Sequence, residues 1–298
     1  MQNNLNMLLS SFALLLLSVS GMAQATPKPR PAPKEEISVK LTSPDKPFRL
    51  SIGLTEGNIK VITYSGKEIV VEAELNADKK KPAPNANQNT NTNSNTNINT
   101  NVPGLRPKKE TSFTGRYVAV TQTDNAVGIG PVKPFSNINV TIKVPANTVK
   151  LNLSIAQGGD ISVKDVKGEA EIMNPNGSIV LTNISGSVIA TSINGNITVS
   201  FASVTEKAPM AFSTLVGKID VTFPATFKAN MKMQSDDGTL FSDYDMLFDG
   251  AAAKMNKVNT PTLYRTNISG KLSGRVNGGG AEILMKNMNG NIYIRKQK

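Results

Sequence analysis

Residues 157–201 read QGGDISVKDVKGEAEIMNPNGSIVLTNISGSVIATSINGNITVSF, and five glycines in this stretch, Gly159, Gly168, Gly177, Gly186 and Gly195, stand nine residues apart. Apolar or small residues recur two and four places after each glycine: Ile161/Val163, Ala170/Ile172, Ile179/Leu181, Val188/Ala190 and Ile197/Val199. Two places before the last four glycines stand Val166, Pro175, Ile184 and Ile193. The unit is therefore Φ-x-G-x-Φ-x-Φ-x-x, with x mostly Asn, Ser, Thr, Asp or Lys.

Alternate side chains of a strand face the same way, so positions two and four after the glycine share one interior while their neighbours meet water. Glycine takes the positive φ of a tight corner, and the Asn beside it tolerates that region next best. Nine residues thus make one short strand and one corner. Two units close a flattened coil of about 18 to 22 residues, and coils stack at roughly 4.8 Å. A single unit buries too little to fold alone, so the core must form between stacked neighbours. The expected fold is all-β, a right-handed β-solenoid (single-stranded β-helix) of roughly nine-residue strand-turn units. An antiparallel β-sandwich is the alternative, because the same spacing suits hairpins.

The pattern extends outward from this centre. Downstream it loosens and returns at Gly217, Gly238, Gly270 and Gly280, ending with NGNIYIRK at Gly290; only 231–257 lacks a clear reading, and SDYDMLFDGAAAKMNK (242–257) within it could hold a helical turn or longer loop. Upstream, RYVAVTQT, NINVTIKV and VKLNLSI read as strands, so residues 111–298 form the repeat domain. Residues 35–77 supply its N-terminal strands, ISVKL, FRLSIGL, GNIKVITY and GKEIVVEAEL. Between the two blocks, residues 78–110 form an Asn/Thr-rich tract with almost nothing to bury, a disordered insertion by composition.

The chain opens with an apolar run, Met7–Val19, followed by Ser20, Gly21 and Ala23. A run of this length with a small-residue exit reads as a cleaved secretory signal over residues 1–23, although its first residues lack Lys and Arg. It is too short for a membrane span. Residues 24–34, rich in Pro, Lys and Arg, form an extended spacer. The expected location is outside the cytoplasm: periplasmic, outer-surface or secreted.

Composition narrows the chemistry. The chain has neither Cys nor His, which removes disulfides, thiolate and imidazole metal ligands, and the Ser-His-Asp triad. Aromatics make up 5% and Trp is absent, so Ile, Val, Leu, Met and Ala are expected to build the core. The formal net charge of +11 suits an anionic neighbour. A basic stripe interleaved with aromatics is missing, so nucleic acid is not expected.

The stretch EGNIKVITYSGKEIVVEAE (56–74), the run of G-x-Φ-x-Φ units and the terminal NGNIYIRK resemble the bacterial domain of unknown function DUF4097, similar to the head GIN domain proteins. The resemblance covers residues 36–76 and 111–298. It implies a β-strand-repeat fold, often exported or membrane-tethered and often assigned to adhesion, and it carries no catalytic residues over.

Other motifs read as structure. A calcium-binding β-roll needs a regular Asp at each corner, whereas Asp160, Glu169, Ser178, Ser187 and Asn196 follow the glycines here. Ser43-Pro-Asp-Lys46 spells S-x-x-K in a turn between strands, not on a helix. Gly128-Ile-Gly130 and Gly278–Gly280 lack the strand-to-helix setting of a nucleotide loop. Asp236, Asp237, Asp243, Asp245 and Asp249 form the densest acidic run, and two such acids could serve glycoside hydrolysis. The expectation is a non-catalytic adhesion, scaffold or surface-binding module with no catalytic, cofactor or metal site. Its partners would be anionic glycans, envelope polymers or an envelope protein. A carbohydrate-active enzyme using Asp236–Asp249, or an envelope-stress signalling partner, is the alternative.

Overall fold

Ile161 pairs with Ile179 and Ile179 with Ile197, all in parallel, so the chain returns to the same place every 18 residues, two nine-residue units per coil. Alternate glycines therefore fall on opposite edges. Gly159, Gly177 and Gly195 stack on one edge, where an added Cβ at each would strike the carbonyl of the glycine beneath it; Gly168 and Gly186 stack likewise on the other. The inward positions two and four after each glycine are all buried.

The computed structural model describes residues 33–76, 110–249, 256–257 and 264–298. The expected signal segment and nearly all of the spacer and of the Asn/Thr insertion lie outside them. The described residues form strands and no helix. The N-terminal block holds β1 (Glu35–Lys40), β2 (Phe48–Glu56), β3 (Ile59–Tyr64) and β4 (Glu68–Leu75). After the insertion come β5 (Glu110–Thr114), β6 (Val118–Thr123), β7 (Ala126–Pro131), β8 (Ile138–Pro145) and β9 (Thr148–Gly158). The regular repeat supplies β10 (Ile161–Lys164), β11 (Lys167–Asn176), β12 (Ile179–Asn194), β13 (Ile197–Val204), β14 (Met210–Ser213) and β15 (Ile219–Phe223). The C-terminal part is β16 (Ala229–Ser242), β17 (Met246–Phe248), β18 (Asn256–Lys257), β19 (Tyr264–Val276), β20 (Ala281–Lys286) and β21 (Ile292–Lys296).

These strands lie on two faces around one core. Face A runs β1-β4-β8-β3-β10-β12-β13-β15-β21-β16-β19-β18. Face B runs β5-β6-β7-β2-β9-β11-β12-β14-β20-β16-β19-β17. The long strands β12 and β16 turn a corner and belong to both. Through them β12, β13, β15, β21, β16, β20 and β14 pair in a closed parallel ring. The fold is thus all-β and solenoid-like. Its middle is parallel and its ends antiparallel, so neither a plain solenoid nor a sandwich describes it.

Coil order departs from chain order at both ends. The N-terminal pair β2 and β3 is inserted between β7/β8 and β9/β10. The C-terminal pair β20 and β21 is inserted between β14/β15 and β16. The last repeat, NGNIYIRK, therefore lies inside the stack, and the ends are closed by antiparallel strands. In the stretch 231–257 that lacked a reading, β16 continues to Ser242 with a bulge between Ser235 and Gly238, β17 and β18 follow, and residues 250–255 lie outside the described ones.

The two edges are built differently. At the Gly168/Gly186 edge Val166 and Ile184 point inward, as the repeat predicts, and Phe201 and Phe223 continue the column, stacked at 5.3 Å, with Phe227 at 4.0 Å beyond and Tyr244 meeting it edge-on. This aromatic ladder corrects the expected all-aliphatic core: four aromatics line one corner, and Phe48, Tyr117 and Phe212 are buried elsewhere. At the other edge Pro175 is half-buried and Ile193 exposed. There the residue three before the glycine turns in instead, as Asn174, Ser192, Thr214, Ser235 and Asn287, all buried. The Asn174 amide donates to the Gly159 carbonyl at 2.9 Å, the Thr214 hydroxyl to Gly195 at 3.0 Å, and the Asn287 amide to Gly290 at 2.7 Å. At these three corners the polar side chain supplies the donor that a buried carbonyl needs, whereas Ser192 and Ser235 make no such bond.

Candidate binding surfaces

The residues that follow the corner glycines have a structural duty. Asn58 Oδ1 accepts the Asp160 backbone N–H at 2.8 Å, Asp160 Oδ1 accepts that of Ser178 at 2.7 Å, and Asn196 Oδ1 accepts that of Lys218 at 2.9 Å. Each side chain staples its coil to the next, which explains Asn and Asp at this place without an ion. Among the described residues no group of three His, Cys, Asp or Glu could hold a metal.

The acidic run is dispersed by the fold. Asp236 and Asp237 sit exposed in the β16 bulge at the glycine edge. Six residues of extended chain separate Asp237 from Asp243, a span of about 20 Å, whereas paired acids in glycosidases stand about 5 to 10 Å apart. Asp243 accepts the Lys296 backbone N–H at 3.1 Å, and Asp249 pairs with Arg275 at 3.7 Å. Ser43 and Lys46 close a turn, with the Lys46 N–H on the Ser43 carbonyl at 3.1 Å. Gly128 and Gly130 lie within β7, and Gly278 and Gly279 form a positive-φ turn.

An open groove of about 620 Å³ lies along the aromatic edge, lined by Glu206, Lys207, Met210, Thr226, Phe227 and Lys228 among others. Glu206 is the one carboxylate on its lining, so it offers no acid pair. A second, shallower trough of about 450 Å³ lies on the outside of face B, floored by Gly53, Gly128 and Gly130 and walled by Ser51, Thr121 and Ser154.

Face A presents the most regular surface. Register places Thr141, Lys60, Ser162, Val180, Thr198, Asp220 and Tyr293 in one outward row. A second row carries Lys143, Ile62, Lys164 and Thr182 on one side of the β12 irregularity, then Ser200, Thr222 and Arg295. Hydroxyls and cations thus recur at about the 4.8 Å strand spacing. Glu72 pairs with Lys143 and holds its ammonium above the ordinary lysine value.

On β15, β21 and β16 face A carries a locked polar and aromatic cluster. The Arg295 guanidinium donates from Nε and Nη2 to the two Asp220 carboxylate oxygens at 2.6 and 3.0 Å. Those hydrogen bonds raise the Arg295 pKa, against partial burial. Lys218 adds a second cation 3.6 Å from Asp220, which is only 7% exposed. Arg295 also lies over the Tyr293 ring at 5.0 Å, and Tyr293 stacks on Phe241 at 4.8 Å. The sequence concealed this cluster, since Asp220 and Arg295 are far apart along the chain and meet only because β21 is inserted beside β15.

No curated protein matches it. A crystal structure of a presumed cell adhesion protein from Clostridium sporogenes is similar over 89% of this chain and 100% of its own, at 11% identity and a TM-score of 0.40. The Toastrack DUF4097 family profile matches residues 21–294, and the chain belongs to that family.

Proposed function

We propose that this chain is an exported, non-catalytic β-repeat module that binds an anionic or polyhydroxylated polymer of the cell envelope or its surroundings along face A. The observation that carries the reading is the pair of outward rows in which Lys60, Lys164, Thr182, Thr198, Ser200 and Thr222 repeat in parallel register. A flat comb of donors with a regular spacing matches a repeating ligand through many shallow contacts. The net charge of +11 favours an anionic one. Met7–Val19 would direct the chain to the periplasm, the outer surface or the medium. The coil is taken as right-handed, because crossovers between parallel strands almost always are. Dispersal of Asp236, Asp237 and Asp243 supports the non-catalytic reading over a carbohydrate-active enzyme.

The test is retention of the natively processed protein on immobilised heparin, alginate and peptidoglycan. Binding at low salt that weakens as salt screens the lysines is expected, with a further loss of about tenfold in the Lys60→Gln/Lys164→Gln variant. Indifference to all three polymers would overturn the reading. Release of reducing sugar that disappears in Asp236→Asn/Asp237→Asn would move the chain to the enzyme class.

A further inference from the structure

The outside of face B carries an apolar patch that face A lacks. Ile189 is 46% exposed, Ile193 47%, Leu215 43%, Leu284 37% and Met288 50%, all on the neighbouring coils of β12, β14 and β20. From β12 to β20 the patch is about 10 Å wide and from Ile189 to the corner at Leu215 about 13 Å long, and the charged rim strands β11 and β16 widen the row to about 19 Å.

The order of residues across these strands is the informative feature. Register aligns Glu171, Ile189, Ala211, Leu284 and Lys232 across β11, β12, β14, β20 and β16. The row reads acid, apolar, small, apolar, base, and β14 is its centre. The corner row repeats the symmetry: the Leu215 N–H bonds to Ile193 and the Met288 N–H to Leu215, so Ile193 and Met288 flank Leu215. Between them lies Met173, Thr191, Ser213, Lys286 and Gln234, with Ser213 at the centre.

We propose that face B is the interface of a homodimer whose two-fold axis runs along β14. Two sheets packed face to face are related by an axis in the plane between them, and an axis along the central strand reverses the strand order while keeping the rows aligned. Glu171 of one copy then meets Lys232 of the second, Ile189 meets Leu284, Ile193 meets Met288, Thr191 meets Lys286, Met173 meets Gln234, and Ala211, Ser213 and Leu215 meet their own counterparts. An axis along β12 or β20 sets Ala211 against Glu171 or Lys232 and no longer brings Ile189 onto Leu284. Lys232 already pairs with Glu282 of its own copy at 2.6 Å, and Glu171 approaches it from the opposite sheet. A self-complementary patch is what a two-fold interface requires, and the aligned packing of two sheets at about 10 Å accommodates side chains of this size.

The absence of cysteine makes the axis directly testable. Leu215→Cys in the natively processed protein should be joined into a covalent dimer by a short bis-maleimide, which spans the gap between sheets, while Thr121→Cys, outside the patch, should not. Sedimentation velocity should give about twice the chain mass for the wild type, and a monomer for Ile189→Lys and for Leu215→Glu with unchanged circular dichroism. Glu171→Lys and Lys232→Glu should each weaken the dimer about tenfold, and the double reversal should restore it, because two symmetric ion pairs are lost and remade. A wild type that stays monomeric at 100 μM, taken as roughly the limit of a weak specific dimer, overturns the proposal. So does a dimer that survives all four single variants. Polymer binding by face A has a separate readout, so either reading can fail alone.

Discussion

At Gly177 the chain is held by two constraints together: φ is 142° and an added Cβ would enter the Gly159 carbonyl beneath it. Gly278 shares the positive φ, at 87°, but nothing lies within 4 Å of its added Cβ. The pair separates backbone preference from stacking. Gly278→Ala should cost about 1 kcal/mol from the left-handed region alone. Gly177→Ala should cost about 3 kcal/mol or more, since two coils must also part. Urea unfolding of both variants measures the difference; equal losses would show that the coils do not press on that corner. Tyr244 makes a second residue-scale test. Its hydroxyl is buried and donates to the Pro224 carbonyl at 2.6 Å, and burial, then Asp243, pushes its pKa up from the ordinary 10.0. The folded state therefore keeps a proton that the unfolded chain sheds above pH 10, so this contribution is whole below pH 10 and falls as pH rises, by about 1.4 kcal/mol per unit. Tyr244→Phe should be about 1 kcal/mol less stable at pH 7 and should lack that alkaline decline in its melting temperature.

Among the elements, the inserted strands set this fold apart from an open stack. In a simple solenoid a terminal coil can be removed with the loss of one interface. Here β20 and β21 pair on both sides, with β14 and β15 below and β16 above. Truncation after Asn277 should therefore abolish the cooperative transition in thermal circular dichroism instead of lowering its midpoint slightly. A truncated chain that still melts sharply would show β16 settling directly onto β14 and β15. The polar corner ladder gives a contrasting expectation. Ser192 Oγ and Ser235 Oγ are buried without a hydrogen-bond partner, whereas Asn174 and Thr214 donate to corner carbonyls. Ser192→Ala should be neutral or stabilising and Asn174→Ala should lose about 1 to 2 kcal/mol, both read from denaturant midpoints.

Seen as a whole, the molecule offers two faces of opposite character, a cationic and hydroxyl-bearing face A and a face B with an apolar centre. If face B is buried in a dimer, both copies turn face A outward, and two combs act on one polymer. Avidity then follows without any new contact. The Leu215→Glu monomer should accordingly keep its affinity for a short oligosaccharide and lose about a hundredfold for a long chain, a contrast measurable by calorimetry with ligands of two lengths.

Much of this was legible in the chain itself. The nine-residue spacing of Gly159 to Gly195 specified corner position and the inward residues two and four after each glycine, because these depend on local backbone geometry and on burial within one coil, but not strand length, since β12 runs 16 residues through the Gly186 corner. The opposite-edge alternation of the glycines, and the i−3 polar residue that displaces Pro175 and Ile193 outward, were also present as spacing, but they take meaning only once the coil is known to hold 18 residues. What tertiary structure alone decided is the order of coils. Nothing local tells β3 to lie between β8 and β10, or β21 between β15 and β16, since every unit presents nearly the same hydrogen-bonding edge and the same aliphatic knobs. That choice is made by long-range pairing, and it creates the Asp220–Arg295 cluster on face A and the row of Glu171, Ile189, Ala211, Leu284 and Lys232 on face B.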